Sequence, residues 1–141
     1  MNMVERRRKS TKAAAGKDFA GAFAALKQIL QQHENHMQVL ADKPKNYCLA
    51  MKTVFHRGKP LWFAAVQSKK NYVSFHLLPV YMNPALQKQI SPELKKRMQG
   101  KACFNFTAPD EKLFAELRKL TATGLQHFRT FKSSPYLPGG R

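Results

Sequence analysis

Apolar and polar positions along this chain change their period repeatedly, and each change marks an element. Behind Asp18, the residues Phe19, Phe23, Leu26, Ile29, Leu30, His33, Met37 and Leu40 recur at spacings of three and four, the stripe of one long amphipathic helix. Asp18 is placed to cap it by accepting from backbone N–H groups of the first turn. From Tyr47 to Phe55 (YCLAMKTVF) the period falls to two, setting Tyr47, Leu49, Met51 and Thr53 against Cys48, Ala50, Lys52 and Val54. Leu61 to Gln67 (LWFAAVQ) is almost wholly apolar. Its length and the aromatic pair Trp62-Phe63 favour a strand buried on both faces over a helix. Tyr72 to Leu78 alternates again, with Val73, Phe75 and Leu77 on one face and Tyr72, Ser74 and His76 on the other.

Turn signals separate these runs. Lys43-Pro44-Lys45-Asn46 ends the first helix, His56-Arg57-Gly58-Lys59-Pro60 joins the first two strands, and Ser68-Lys69-Lys70-Asn71 joins the next two. Pro79 stops the third strand. Asn83-Pro84 and Ser91-Pro92 then start short helices, the second expected from Pro92 to Gln99, with Gly100 closing it. Lys95, Lys96 and Arg97 would lie in its last turn, where cations complement the helix dipole. Ala102 to Phe106 reads as a fourth strand, with Phe104 and Phe106 inward and Cys103 and Asn105 outward. Asp110 and Glu111 open the last helix, whose stripe runs through Leu113, Phe114, Leu117, Leu120, Leu125, Phe128 and Phe131. That stripe holds through Gly124, which reads as a close helix contact. The order predicts a two-layer α+β domain, an antiparallel sheet of about four strands with the long N- and C-terminal helices packed on one face. Residues 1–17 are expected to be a disordered basic tail, 18–132 a single domain and 133–141 a flexible C-terminal tail.

The order Gly58-Lys59-Pro60 before an apolar strand, then Lys-Lys-Asn-Tyr-Val-Ser-Phe (69–75) and Gly-Lys-Ala-Cys-Phe-Asn-Phe (100–106), resembles the YdhG-like family, domain of unknown function 1801. The likeness runs from about Lys43 to Phe128 and is spread over several segments. It implies a two-layer α/β domain with an antiparallel sheet and no established enzymatic activity. Some members of that family are described as frataxin-like iron chaperones, so the resemblance carries a fold further than it carries a function.

Composition adds a charge to this outline. A chain of 141 residues, 43% of them hydrophobic, fits one domain with a real core and excludes wholesale disorder. No apolar run approaches the ~20 residues of a membrane span, so no membrane partner is expected. The charged start MNMVERRRKS lacks a following apolar segment and is not expected to be a signal peptide. Cys48 and Cys103 read as reduced thiols of a cytoplasmic protein. The net charge is +17, and residues 43–101 alone carry twelve Lys and Arg against Glu93. Such charge speaks to partners and solubility rather than to fold.

Catalytic and metal motifs are weak. His33-Glu34-Asn35-His36 lacks the i, i+4 histidine pair of a zinc-binding helix, and Gly58-Lys59 lacks the second glycine, the Ser/Thr and the helix of a phosphate-binding loop. Ser74, His76 and the cysteines supply nucleophile and base types without an acidic partner at a readable spacing, so no enzyme, metal or cofactor is expected. The leading reading is a non-catalytic binding module for a small ligand or a polyanion. Its site is expected on the open sheet face, at Trp62, Tyr72, Ser74, His76 and Asn105. The second reading is single-stranded nucleic acid held by Lys52, Arg57, Lys59, Lys69 and Lys70 beside those aromatics. An iron chaperone comes third, because eight scattered acids in a positive field suit iron poorly, and Asp110, Glu111 and Glu116 are the densest of them. Monomer and homodimer are equally compatible with the pattern.

Overall fold

The computed structural model describes residues 17–129, so most of the basic tail, Phe131 and the C-terminal tail lie outside the described residues. The chain runs through α1 (Phe19–Gln31), a 3-10 turn (Glu34–His36), β1 (Met37–Lys43), β2 (Asn46–His56), β3 (Lys59–Ser68) and β4 (Val73–Leu77). Three short helices follow, α2 (Leu78–Met82), α3 (Pro84–Lys88) and α4 (Pro92–Lys95), then β5 (Met98–Gln99), β6 (Cys103–Phe106) and α5 (Glu111–Arg129). The strands form one antiparallel sheet in the order β1-β2-β3-β4-β6-β5. Among the described residues no helix is long and apolar enough to cross a membrane.

The sheet has six strands where about four are expected, and both additions come from segments read as helix. The first helix ends at Gln31, not Leu40, because Gln31 to His36 is an unbroken polar run that would bury nothing as a helix. Glu34 instead accepts the Tyr47 hydroxyl at 2.5 Å, and the chain from Met37 to Lys43 pairs with β2. The helical spacing of Met37 and Leu40 is a coincidence. Met37 is buried, whereas Leu40 sits beside a register shift between Val39 and Ala41 and is 48% exposed. The helix expected from Pro92 to Gln99 likewise stops at Lys95. Met98 then pairs with Phe104, and the Arg97 carbonyl accepts the Asn105 N–H at 2.8 Å. Arg97 is therefore not a last-turn residue; its guanidinium lies 5.8 Å from the Phe106 ring centroid.

The remaining boundaries follow local chemistry. Asp18 Oδ1 accepts from Gly21 N, Asn83 Oδ1 from Ala85 N, Ser91 Oγ from Leu94 N and Asp110 Oδ1 from Leu113 N, so each helix after a loop starts on a side-chain cap. The β2–β3 hairpin closes through Arg57 and Gly58, both at positive φ (55° and 81°) between the paired His56 and Lys59, the mirror-image turn that matches strand twist.

All the long helices lie on one side of the sheet. Leu26, Ile29 and Leu30 of α1, with Leu117 and Phe128 of α5, are buried with Tyr47, Leu49, Phe63, Val66, Phe75, Leu77, Phe104 and Phe106 from the strands. Phe63 meets Phe128, and Phe106 meets Phe114, edge to face. Each such side chain contributes about 1.5–3 kcal/mol by leaving water, which is where the stability of this domain resides. Gly124 is the close contact expected of it. A Cβ there would lie 2.7 Å from Pro79 Cβ, so the Gly124 backbone of α5 sits directly against the Pro79 ring of α2.

Candidate functional site on the open sheet face

Alternation sends every second strand residue to the face without helices, and antiparallel register arranges those residues in rows. One row is Asn46, Gln67, Ser74 and Asn105, directly opposite one another on β2, β3, β4 and β6. The next is Cys48, Ala65, His76 and Cys103 on the same four strands. Amides and a hydroxyl make the first row; two thiols and an imidazole make the second. Ala65, the small residue of the second row, is almost fully buried.

Trp62 reaches this face because of a bulge. Leu49 pairs with Ala64 but Ala50 pairs with Trp62, so β3 carries one extra residue, Phe63. Strict alternation from Ala65 would turn Trp62 into the core and Phe63 outward. The bulge reverses both, seating Phe63 against Phe128 and Trp62 on the open face. There the indole Nε1–H donates to Cys48 Sγ at 2.8 Å, and the ring meets His76 edge-on with centroids 6.0 Å apart.

His76 is the hub of the polar contacts. Its Nε2 lies 3.0 Å from Ser74 Oγ and its Nδ1 lies 2.8 Å from Cys103 Sγ. A neutral imidazole satisfies both, donating through one nitrogen and accepting through the other. Burial holds it neutral. Desolvation first, and the Lys69 charge second, lower the His76 pKa, while desolvation raises that of Cys103 against a smaller opposing effect of Lys69. Burial likewise raises the Cys48 thiol, opposed by the Trp62 N–H. Both cysteines are free thiols, and three strand spacings of about 4.8 Å separate them, too far for a disulfide. Asn105 Nδ2 donates to Gln99 Oε1 at 2.8 Å, and Gln67 Nε2 donates to Asn46 Oδ1 at 3.3 Å. Asn105 Oδ1 is buried and has no hydrogen-bond partner among the described residues.

Of the expected site residues, Trp62, Ser74, His76 and Asn105 share this face. Tyr72 precedes β4 in the turn, where its carbonyl accepts the Lys69 N–H, and it belongs to neither row. Alternation from Tyr47 and from Val66 already puts Cys48 and Gln67 here; the sequence reading of both cysteines as reduced thiols did not include their contacts with Trp62 and His76.

The expected basic residues do not form one patch. Lys69 and Lys70 lie in the β3–β4 turn, whereas Arg57 and Lys59 lie at the β2–β3 turn, the opposite end of β3. Lys52 Nζ reaches the Asn35 carbonyl beside the β1 edge. One lysine outside the expected set, Lys45, stands beside Lys69 and Lys70, because Ser68 N–H donates to the Lys45 carbonyl at 3.0 Å. A cleft of about 480 Å³ opens there, lined by Phe19, Phe23, Lys45, Ser68, Lys69 and Lys70.

The acids lie elsewhere. Asp42 points to the helix side, where Lys27 Nζ meets it at 2.8 Å, and Glu34 takes the Tyr47 hydroxyl. Asp18 and Asp110 cap helices, and Glu116 accepts Ser91 N–H and Oγ–H. Glu93 and Glu111 are in the first turns of α4 and α5. No acid among the described residues stands on the open face. No group of three or more His, Cys, Asp or Glu among them could hold a metal ion. Comparison with family models, with curated proteins and with solved structures gives no match to this chain.

Proposed function

We propose that this domain is a non-catalytic binding module that holds a flat, hydrogen-bonding ligand on its open sheet face. One observation carries the reading: two adjacent cross-strand rows, with Trp62 beside them, bring an indole, an imidazole and three amides together over the buried Ser74 hydroxyl, on a face that the domain does not need for its core. An aromatic wall beside a few fixed polar groups is the usual make-up of a small-ligand site. The unpartnered Asn105 Oδ1 supports it, because a buried acceptor without a donor costs about 1–3 kcal/mol, and a ligand N–H would recover that. Burial keeps Cys103 a thiol and His76 uncharged, which favours binding over nucleophilic chemistry. The iron-chaperone role that the YdhG-like resemblance implies finds no grouped hard ligands among the described residues to support it.

Trp62 is the one tryptophan in the chain, so its emission reports this site alone. Titration with nucleobases, nucleosides and aromatic carboxamides is expected to shift or quench that emission saturably for at least one class. Asn105→Ala is expected to weaken the response about tenfold, as the loss of one buried hydrogen bond would. A Trp62 signal indifferent to every class would sink the reading.

A further inference from the structure

We infer that the cleft between the start of α1 and the β1–β2 and β3–β4 turns is a second binding site, on the helix side of the sheet, for a small amphipathic anion: a compact apolar body carrying a phosphate or carboxylate. It stands apart from the open face, and neither reading depends on the other. The cleft holds about 480 Å³, within the range of small-ligand sites.

Its two walls have opposite chemistry. The helix wall is apolar. Phe19 and Phe23 are four residues apart, so they stand on one face of α1, with Ala20 beside them in the cleft lining. Leu26, Ile29 and Leu30, further along the same stripe, are sealed from water, whereas both phenylalanines are only partly buried. The stripe runs past the end of the sheet. β2 begins at Asn46 and β3 ends at Ser68, so what lies across the cleft from the rings is turn rather than strand.

The turn wall is cationic. Lys45, Lys69 and Lys70 line it together with Ser68, and no acid among the described residues lines the cleft. The acids nearest in the chain are engaged elsewhere: Asp18 accepts from Gly21 N–H at 2.9 Å, and Asp42 from Lys27 Nζ at 2.8 Å. A half-open ring or an exposed lysine is ordinary on a protein surface taken singly. Two rings facing three ammonium groups across one cleft complement a single kind of ligand, which an inorganic anion or a neutral hydrocarbon would match only by half.

Both walls are fixed by backbone. Ser68 N–H donates to the Lys45 carbonyl at 3.0 Å and Lys69 N–H to the Tyr72 carbonyl at 2.8 Å, which ties the two turns together and closes the second. Opposite them, Asp18 N–H donates to the Thr107 carbonyl at 2.7 Å and pins the start of α1 beside the end of β6. A cleft formed in advance loses little binding free energy to ordering.

The test is calorimetric titration of the full chain with naphthyl phosphate and naphthoate, with naphthol and inorganic phosphate as the separate halves, and with amide NMR to locate binding. At least one of the two amphiphiles is expected to bind with a Kd below about 1 mM, and each half about tenfold more weakly. Shifts should centre on Phe19, Phe23, Ser68 and Lys69. Changing Lys45, Lys69 and Lys70 together to glutamine, all exposed positions, is expected to weaken binding about tenfold and to remove most of its salt dependence. Ala20 is exposed in the first turn of α1, where an acid favours the helix, so Ala20→Glu preserves the fold while placing a carboxylate among the lysines. It is expected to weaken binding about tenfold, and Ala20→Gln, equal in bulk, by no more than about threefold.

Equal losses in those two variants, or inorganic phosphate binding as tightly as the amphiphiles, would overturn the inference and leave the lysines as a general polyanion patch. Failure of both amphiphiles to bind, or shifts centred on His76 and Asn105, would overturn it as well. Binding to vesicles of anionic lipid by a protein that ignores the free amphiphiles would reject the small ligand and mark the turns as a membrane-facing patch.

Discussion

The two faces of this sheet come from the same strands and have opposite logic. On the covered face, Tyr47, Leu49, Val66, Val73, Phe75, Leu77, Phe104 and Phe106 are all essentially sealed from water. On the open face, the alternate residues of the same strands are Cys48, Gln67, Ser74, His76, Cys103 and Asn105. The first set needs only to be apolar and to fill space. The second is polar and hydrogen-bonded, with Ser74 sealed from water and the others partly buried, without any helix over it. Stability explains the first set completely. For the second it explains little, since a simply solvated sheet face would do as well with Thr, Lys and Glu. That surplus of specific polar contacts is the argument for a ligand.

The sharpest way to break the contrast is to cut neighbouring residues of β4. Phe75→Ala is expected to cost about 3–5 kcal/mol, because a fully buried ring is lost and a cavity remains. Ser74→Ala, one residue away, is expected to cost only about 1 kcal/mol, the net worth of one hydrogen bond. Urea denaturation of the two variants measures both. Similar losses would mean that the open face is a second core, and the distinction would fail. A smaller effect falls within the helix layer. Gly124→Ala must push against the Pro79 ring of α2, which its own backbone holds rigidly, and overpacking of this kind costs about 1–3 kcal/mol. A wild-type unfolding midpoint for this variant would show that α2 can slide on α5, so that the helix layer is softer than its packing implies.

The covered face was largely legible in the chain and the open face only partly. Hydrophobic periodicity identifies buried positions, so β2, β3, β4, β6, both long helices and the Gly124 contact follow from it. It fails where periodicity is accidental, as at Met37 and Leu40, which match a helix while lying in an edge strand. It fails again for β5, too short to show a period at all. On the open face, alternation alone places Ser74, His76, Asn105 and Cys103 together. Trp62 is different. Its exposure depends on the extra residue Phe63, and a bulge leaves no mark in a continuous apolar run such as LWFAAVQ. The basic candidates separate into two poles for a similar reason, since distance along the chain says nothing of which end of a sheet a turn occupies.

The subtlest test asks whether the open face is dry enough to hold His76 neutral. Its pKa is lowered from the ordinary 6.5 by burial and then by Lys69. The folded state therefore binds this proton less readily than the unfolded chain does. Its contribution to stability is fully present above about pH 6.5 and is lost as pH falls from there toward the lowered folded value. His33 is shifted the same way, by burial first and then by the His36 and Arg129 charges, so urea midpoints alone would mix the two. Trp62 separates them. Its ring meets His76 at 6.0 Å, and an imidazolium quenches indole emission more strongly than a neutral imidazole does. Acid titration of the folded protein should quench Trp62 with a midpoint below 6.5, and His76→Gln should abolish that step while leaving the His33 contribution to the urea series. A midpoint at or above 6.5 would mean that His76 is solvated and its bonds to Ser74 and Cys103 are not kept. The open face would then be an ordinary wet surface, no more organised than the outside of any other sheet.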